Sequence, residues 1–376
     1  MSKRIYLVAG EASGDEHGAA LMQALREFVF DLSFSGRGGP KMEALAGDEI
    51  INWSDAAAVV GLWEVVKRYG YFREQFQIAL NEIAAIKPDA VVLIDYPGFN
   101  LRLARALRKK SSQLKIIYYI SPQVWAWNRG RIRQMARLLD LMLCIFPFEA
   151  ELYNKSGLRT IFVGHPMIQN LAALRTGEER QSDLVGLFPG SRLREVRKIF
   201  PIMLEAAREM VAQRAEVCFE VAAASDALAL EIQKMLATSS LRERMRITTG
   251  DAASAMQHTF AGMVASGTAT LEAAYFRLPF VLVYKVSWPT YFAARLVLKT
   301  KYLGMPNVLA GREIIPEFIQ HEARSDLISK ALLKLMDDQA ARHQMTSEFD
   351  AIIAKLGESG ASAKAARAIM DELAEN

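Results

Sequence analysis

The side chains that could do chemistry gather in short polar stretches, each placed where an apolar run ends. In GEASGD (10–15) the run IYLVAG gives way to small residues and Glu11, and in IDYPGFN (94–100) a second run ends on Asp95. A carboxylate at a strand's C-terminal end, partly withdrawn from water, suits a general base because burial raises its pKa. A helix cap ahead of Phe99, with Pro97 in the turn, is the other reading of Asp95. The small residues of GEASGD allow close backbone approach, but the spacing is not G-x-G-x-x-G, so a dinucleotide site is not indicated. Glu11 inside a phosphate cradle would repel a diphosphate, so a sugar or hydroxyl partner suits this loop better.

Two later stretches have the opposite character. In LFPGSRLREV (187–196) Ser191 and Arg192 stand at a helix start, where the helix dipole and a guanidinium converge on an anion such as phosphate. In ASGTATLEAA (265–274) Gly267 supplies a turn, Thr268 and Thr270 open a helix, and Glu272 falls in its first turn. Two readings fit: a capping box, or a nucleotide site with diphosphate on the amides and hydroxyls and ribose on Glu272. A fifth stretch, LGMPNVLAGREIIPEFIQ (303–320), contributes Asn307, Arg312 and Glu313, and His165 in VGHP follows a strand as a reachable or hinge histidine. The chain has no Asp-x-Asp, Walker A or H-E-x-x-H motif and no Cys/His cluster, which leaves no signature for a metal.

The elements that must position these loops alternate along the chain. Apolar runs at 5–10, 89–95, 115–121, 141–146 and 160–164 read as strands. A second series follows at 183–190, 217–223, 244–250, 262–266 and 279–286. Amphipathic helical patterns separate most of them, and buried strands alternating with helices indicate parallel sheets covered on both faces. Right-handed crossovers then give doubly wound α/β units with ligands at the C-terminal strand ends. The polar stretch 175–183, without periodicity, reads as the linker where the series restarts. The expected architecture is two Rossmann-like domains facing an interdomain cleft, 1–170 and 171–357, with a last helix at about 358–376 packing back on the first or on a partner chain. The length of 376 residues agrees with two domains at roughly 100–200 residues each.

Composition narrows the partners. The chain is 51% hydrophobic and 23% charged, with net charge +4, and no basic run is interleaved with aromatics, so nucleic acid is not expected. The two cysteines, Cys144 and Cys218, sit in apolar runs, which fits a reducing cytosol. No stretch reaches the roughly 18–20 apolar residues of a membrane span, so any membrane contact is peripheral. The segment 59–76 does place Leu62, Val66, Tyr69 and Phe72 at helical spacing, with Trp63 alongside and Lys67 and Arg68 on the polar side. That mixture suits either an anionic bilayer surface or a helix packed on the core. The stretch 288–303 repeats it.

Taken together, GEASGD, IDYPGFN, SPQVWAWNRGR (121–131), FPFE (146–149), FVGHP (162–166), LFPGSR, SGTATLEAA and PNVLAGRE resemble the lipid-A-disaccharide synthase family, in order and spacing, from the first strand to about residue 320. The resemblance implies a GT-B fold with the donor held by the second domain. It also implies an inverting transfer of 2,3-diacylglucosamine from UDP-2,3-diacylglucosamine to the 6-hydroxyl of 2,3-diacylglucosamine 1-phosphate (lipid X). No cofactor and no metal are expected. The implied location is cytoplasmic and peripheral, on the inner face of the cytoplasmic membrane, which favours the lipid reading of 59–76, and a homodimer built from C-terminal elements. For the site it implies diphosphate on Ser191, Arg192, Gly267 and Thr268, ribose on Glu272 and donor orientation by Asn307. Many members carry an acid where this chain has Gly98, so the base falls to Asp95, with Glu11 as rival.

Overall fold

The computed structural model describes residues 3–28, 31–54, 69–127, 130–297 and 300–374. It divides into two compact units, the first comprising Met1–Pro166 and Leu356–Asn376, the second Met167–Lys355. The division falls ahead of the stretch 175–183, which therefore lies inside the second unit and leads into its first strand rather than linking the two.

Among the described residues the first unit is built on seven parallel strands: β1 (Lys3–Ala9), β2 (Leu32–Gly38), β3 (Ile50–Asn52), β4 (Ala90–Ile94), β5 (Lys115–Tyr119), β6 (Leu141–Cys144) and β7 (Thr160–Phe162). Their order is β3-β2-β1-β4-β5-β6-β7, so the winding reverses between β1 and β4. Every residue of β4, AVVLI, is buried, as expected of a strand covered by helices on both faces. The glycine- and serine-rich β2 has no apolar run to announce it. Gly36, at φ 140°, lies so close to β1 that a Cβ there would sit 2.0 Å from the Leu7 carbonyl oxygen. Arg37 is buried in the same strand and is held by Glu82 (2.9 Å) and Gln75 on the helix Tyr69–Ile86.

That helix carries the described end of the aromatic stripe. Phe72, expected at a lipid surface, instead turns its ring edge to Trp53 (6.5 Å), and Phe76 does the same to Phe99 (5.8 Å). Both rings pack against the core of the unit, the ordinary fate of an amphipathic face. Leu62, Trp63, Val66, Lys67 and Arg68 lie outside the described residues, as does the side chain of Tyr69.

The chain's last helix, Ala361–Ala374, belongs to the first unit and packs on the helix Ala12–Phe28. Its buried Glu372 receives hydrogen bonds from Lys115 (2.7 Å) and Arg159 (2.8 Å), and Lys3 caps the helix end at the Leu373 carbonyl (2.6 Å). Cationic donors on a buried carboxylate satisfy a charge that would otherwise oppose folding.

The second unit repeats the plan with, among the described residues, six parallel strands: β8 (Gln181–Phe188), β9 (Cys218–Ala223), β10 (Met245–Thr249), β11 (Thr259–Ala265), β12 (Phe280–Tyr284) and β13 (Glu317–Ile319). The order β10-β9-β8-β11-β12-β13 places the reversal between β8 and β11. Among the described residues no helix is long and apolar enough to cross a membrane.

Candidate active site

A doubly wound sheet leaves a crevice where its strand order reverses, because the helices after the two central strands diverge to opposite faces. In the first unit those strands are β1 and β4, with Ala9 level with Ile94. The residues that follow are Gly10 and Glu11 on one side and Asp95 on the other. The fold thus brings together the two carboxylates that the sequence places far apart.

Asp95 is held by its backbone. Both Asp95 (φ 46°) and Tyr96 (φ 48°) occupy the left-handed region, which non-glycine residues rarely enter. Several hydrogen bonds enforce this turn. The Asp95 amide donates to the Tyr119 carbonyl (2.9 Å), and the Asp95 carbonyl accepts from Asn100 Nδ2 (2.8 Å) and from the Tyr118 hydroxyl. Such a conformation persists only where its surroundings over-determine it. Gly10 completes the turn, since a Cβ there would lie 2.3 Å from the Tyr96 ring. The helix Pro97–Lys110 is capped by Tyr96 without a side-chain bond, so Asp95 is not its cap. Burial raises the Asp95 carboxyl above the ordinary range and the charge of Glu11 adds to it, while the Tyr96 amide opposes them. Glu11 itself is exposed at the rim. The Asp15 that ends GEASGD has a purely architectural part: it is buried and accepts from the amides of Gly39, Lys41 and Met42, each at 2.9 Å.

One residue at the same end of the sheet was not singled out by sequence reasoning, although FPFE contains it. Glu149 is buried. It accepts from Trp125 Nε1 at 2.8 Å and from the Phe146 amide at 3.3 Å. It therefore ties the loop after β5 to the loop after β6. Burial pushes its carboxyl up to about 7, against the pull of these donors. A carboxyl raised in the folded state contributes stability that is full below the unfolded value near 4.5 and is lost as pH rises through about 7. Relative to Glu149→Gln, the wild type should lose up to about 3 kcal/mol of stability across that window. Paired urea titrations at acid and alkaline pH measure this, and parallel pH profiles for the two proteins would refute it.

His165 is packed in the first unit. Its ring packs beside Phe146 (5.2 Å), its amide donates to the Leu356 carbonyl (2.9 Å), and burial with the nearby His17 lowers its pKa to about 4. It is neutral near pH 7.

The second unit offers the matching crevice between β8 and β11, where Phe188 is level with Val264. After β8, Gly190 turns at φ 108°, and Ser191 and Arg192 are exposed ahead of the helix Leu193–Gln213. The Arg192 side chain is 62% exposed and meets Glu195 at 3.3 Å. After β11, Gly267 turns at φ 147°, and its carbonyl accepts from both the amide (3.2 Å) and the hydroxyl (2.8 Å) of Thr270. Thr268 makes no side-chain cap to the helix Ala269–Tyr275, so the full capping box is not formed. Burial raises the Glu272 carboxyl, with the Thr268 side chain holding it down. Arg192, Ser191, Gly267 and Thr268 thus line the ends of two adjacent central strands, an arrangement able to receive an anion.

Asn307 is corrected by the structure. It is fully buried, donates to the Ile315 carbonyl (2.9 Å) and Glu317 Oε1 (2.8 Å), and accepts from the amides of Ile314 (2.7 Å) and Ile315 (3.0 Å). An amide side chain with two donors and two acceptor positions so occupied has nothing left for a ligand. It folds its own loop, together with Glu317, which also accepts from the Leu303 and Gly304 amides at 2.9 Å.

A family model described as lipid-A-disaccharide synthetase matches residues 5–370. The lipid-A-disaccharide synthase of Geobacter sulfurreducens is 37% identical over 380 residues, covering 99% of this chain and 98% of the relative. That of Myxococcus xanthus is 36% identical, covering 98% and 97%. Among solved structures, an S. aureus MnaA–UDP co-structure aligns with TM-score 0.64 at 14% identity, covering 100% of this chain and 97% of that one. MurG of Acinetobacter baumannii aligns with TM-score 0.57 at 13% identity, covering 100% of both. At such identities these structures speak to the fold alone, two parallel-sheet α/β units of the GT-B type.

Proposed function

The chain belongs to the lipid-A-disaccharide synthase family, and from that premise we propose that it transfers 2,3-diacylglucosamine from its UDP ester to the 6-hydroxyl of lipid X. The products are the β(1→6) disaccharide 1-phosphate and UDP. The observation that supports this reading is the matched pair of crevices. Carboxylates stand at the reversal point of the first sheet, and a guanidinium with small hydroxyl-bearing residues stands at that of the second. A UDP-bound relative of the same fold lends support to the nucleotide half.

In this mechanism Asp95 takes the proton from the acceptor hydroxyl as that oxygen attacks the anomeric carbon, opposite the leaving diphosphate. One base suffices for inversion. The departing UDP carries developing negative charge, which Arg192 and the backbone around Ser191 and Gly267–Thr268 stabilise without a metal. Glu272 accepts from the ribose hydroxyls. The acyl chains of both proposed substrates favour a reaction at a membrane surface.

The test is disaccharide formation by purified protein in detergent, supplied with both diacylated sugars and with EDTA present. Equal amounts of disaccharide and UDP are expected, with no loss on chelation. Tight UDP binding without product would overturn the acceptor assignment, and product lost on chelation and restored by a divalent cation would overturn the metal-free step.

A further inference from the structure

One short helix exposes two large aromatic side chains one turn apart. Among the described residues, Trp288 is 53% exposed and Phe292 59% exposed, and both lie on the helix Trp288–Val297. Positions 288, 291, 292 and 295 share one face at the spacing of a helical turn. The rings form a preassembled cluster. Trp288 and Phe292 stack at 5.7 Å and 28°, while Tyr291 meets them edge-on at 5.9 and 5.8 Å. Arg295, exposed, continues the face.

Along the chain, the stretch that carries this cluster is charged with one sign, although Arg312 at its end is paired with Glu348. From Lys285 to Arg312 the chain carries five basic residues (Lys285, Arg295, Lys299, Lys301, Arg312) and not one Asp or Glu. Exposed aromatic area is unfavourable in water unless something covers it, and contiguous patches mark docking surfaces. Trp and Tyr favour the boundary between headgroups and acyl chains, and Lys and Arg are drawn to anionic leaflets. A second copy of the chain would set like charges against each other, and an acyl chain offers nothing to the cations. We propose that this helix face docks the second unit onto an anionic lipid bilayer. The helix follows β12, whose end at Tyr284 belongs to the same edge of the sheet as the proposed donor crevice, so bilayer contact here would present that crevice to a lipid-borne donor. The docking deepens the donor reading, but it is measured by binding and stands or falls separately from turnover.

The experiment is co-sedimentation of the full chain with vesicles of phosphatidylcholine alone or mixed with phosphatidylglycerol. Detergent-based turnover and solution mass are followed in parallel. Wild type should partition to the mixed vesicles, and added salt should weaken that binding. The double variant Trp288→Ser, Phe292→Ser should partition about tenfold less, and Arg295→Glu severalfold less, with turnover in detergent held within about twofold. Vesicle binding equal to wild type in both variants overturns the proposal. Unchanged binding with lost turnover assigns the face to the donor's acyl chains instead. Unchanged binding with a lost dimer assigns it to a second copy.

Discussion

Replacing Asp95 by Asn should lower turnover by roughly 10²–10⁴ while leaving the KM of either sugar nearly unchanged. The prediction is sharp because the fold does not depend on this carboxylate. Asn100 and Tyr118 bind the backbone carbonyl of Asp95, and Tyr119 accepts from its amide, so the isosteric amide leaves these contacts intact. Thermal unfolding near neutral pH should therefore be unaltered or somewhat raised, because the amide removes a carboxylate that burial and Glu11 disfavour, and the loss is confined to the chemical step. The pH profile adds a second arm. Burial first and the Glu11 charge second raise the Asp95 carboxyl, and a base must be ionised to act, so the acid limb of kcat/KM lies above the ordinary carboxylate range. Glu11→Gln removes one of the two causes and should move that limb to lower pH with the plateau preserved. If Glu11 is the base, the pattern inverts: Glu11→Gln loses the rate and Asp95→Asn keeps it. Gly98 offers a third arm, because a side chain there meets nothing within 4 Å. Rescue of Asp95→Asn by Gly98→Asp would show that a carboxylate at position 98 can serve as the base.

The architecture was legible wherever a strand is buried on both faces. β4, β5 and β6 stand as uninterrupted apolar runs, and the loops after β1, β4, β8 and β11 could be weighed simply because doubly wound sheets put ligands there. β2 escaped because its sequence LSFSGRG answers to tertiary needs. A glycine lets β1 approach, and Arg37 is buried only because Glu82 and Gln75 arrive from a helix some forty residues later. β3 and β13, three residues each, are too short to leave a pattern. The site divides in the same way. Asp95 and Arg192 stand out as candidates by their position at strand ends. Asn307 misled because its type suits a ligand equally well, and only the carbonyl of Ile315 and the carboxylate of Glu317 reveal that its capacity is spent locally. Glu149 was passed over for a related reason: its desolvation exists only once Trp125 folds over it. Phe72 shows that an amphipathic stripe fixes which residues share a face but not what covers it.

Arg192→Ala should lower kcat by roughly 10²–10³, the range seen when one donor to a developing charge is removed. Leaving-group charge grows toward the transition state, so a guanidinium aimed at the diphosphate acts more on kcat than on donor binding. Stability should be untouched, since the one ion pair it makes among the described residues, with Glu195, is exposed on the arginine side and such pairs contribute about 1 kcal/mol or less. Arg192→Lys should recover part of the rate, because it keeps the charge but not the two-pronged donor geometry. Glu195→Gln should leave turnover at or above wild type, as it releases the guanidinium from a competing carboxylate. Donor KM rising at constant kcat would make Arg192 a uniform binder of diphosphate, with no special purchase on the transition state. No change in either constant would move the anion to the Gly267–Thr268 side of the crevice. There the amides come from the backbone, so substituting side chains cannot remove them, and only a donor analogue with an uncharged linkage would show their part.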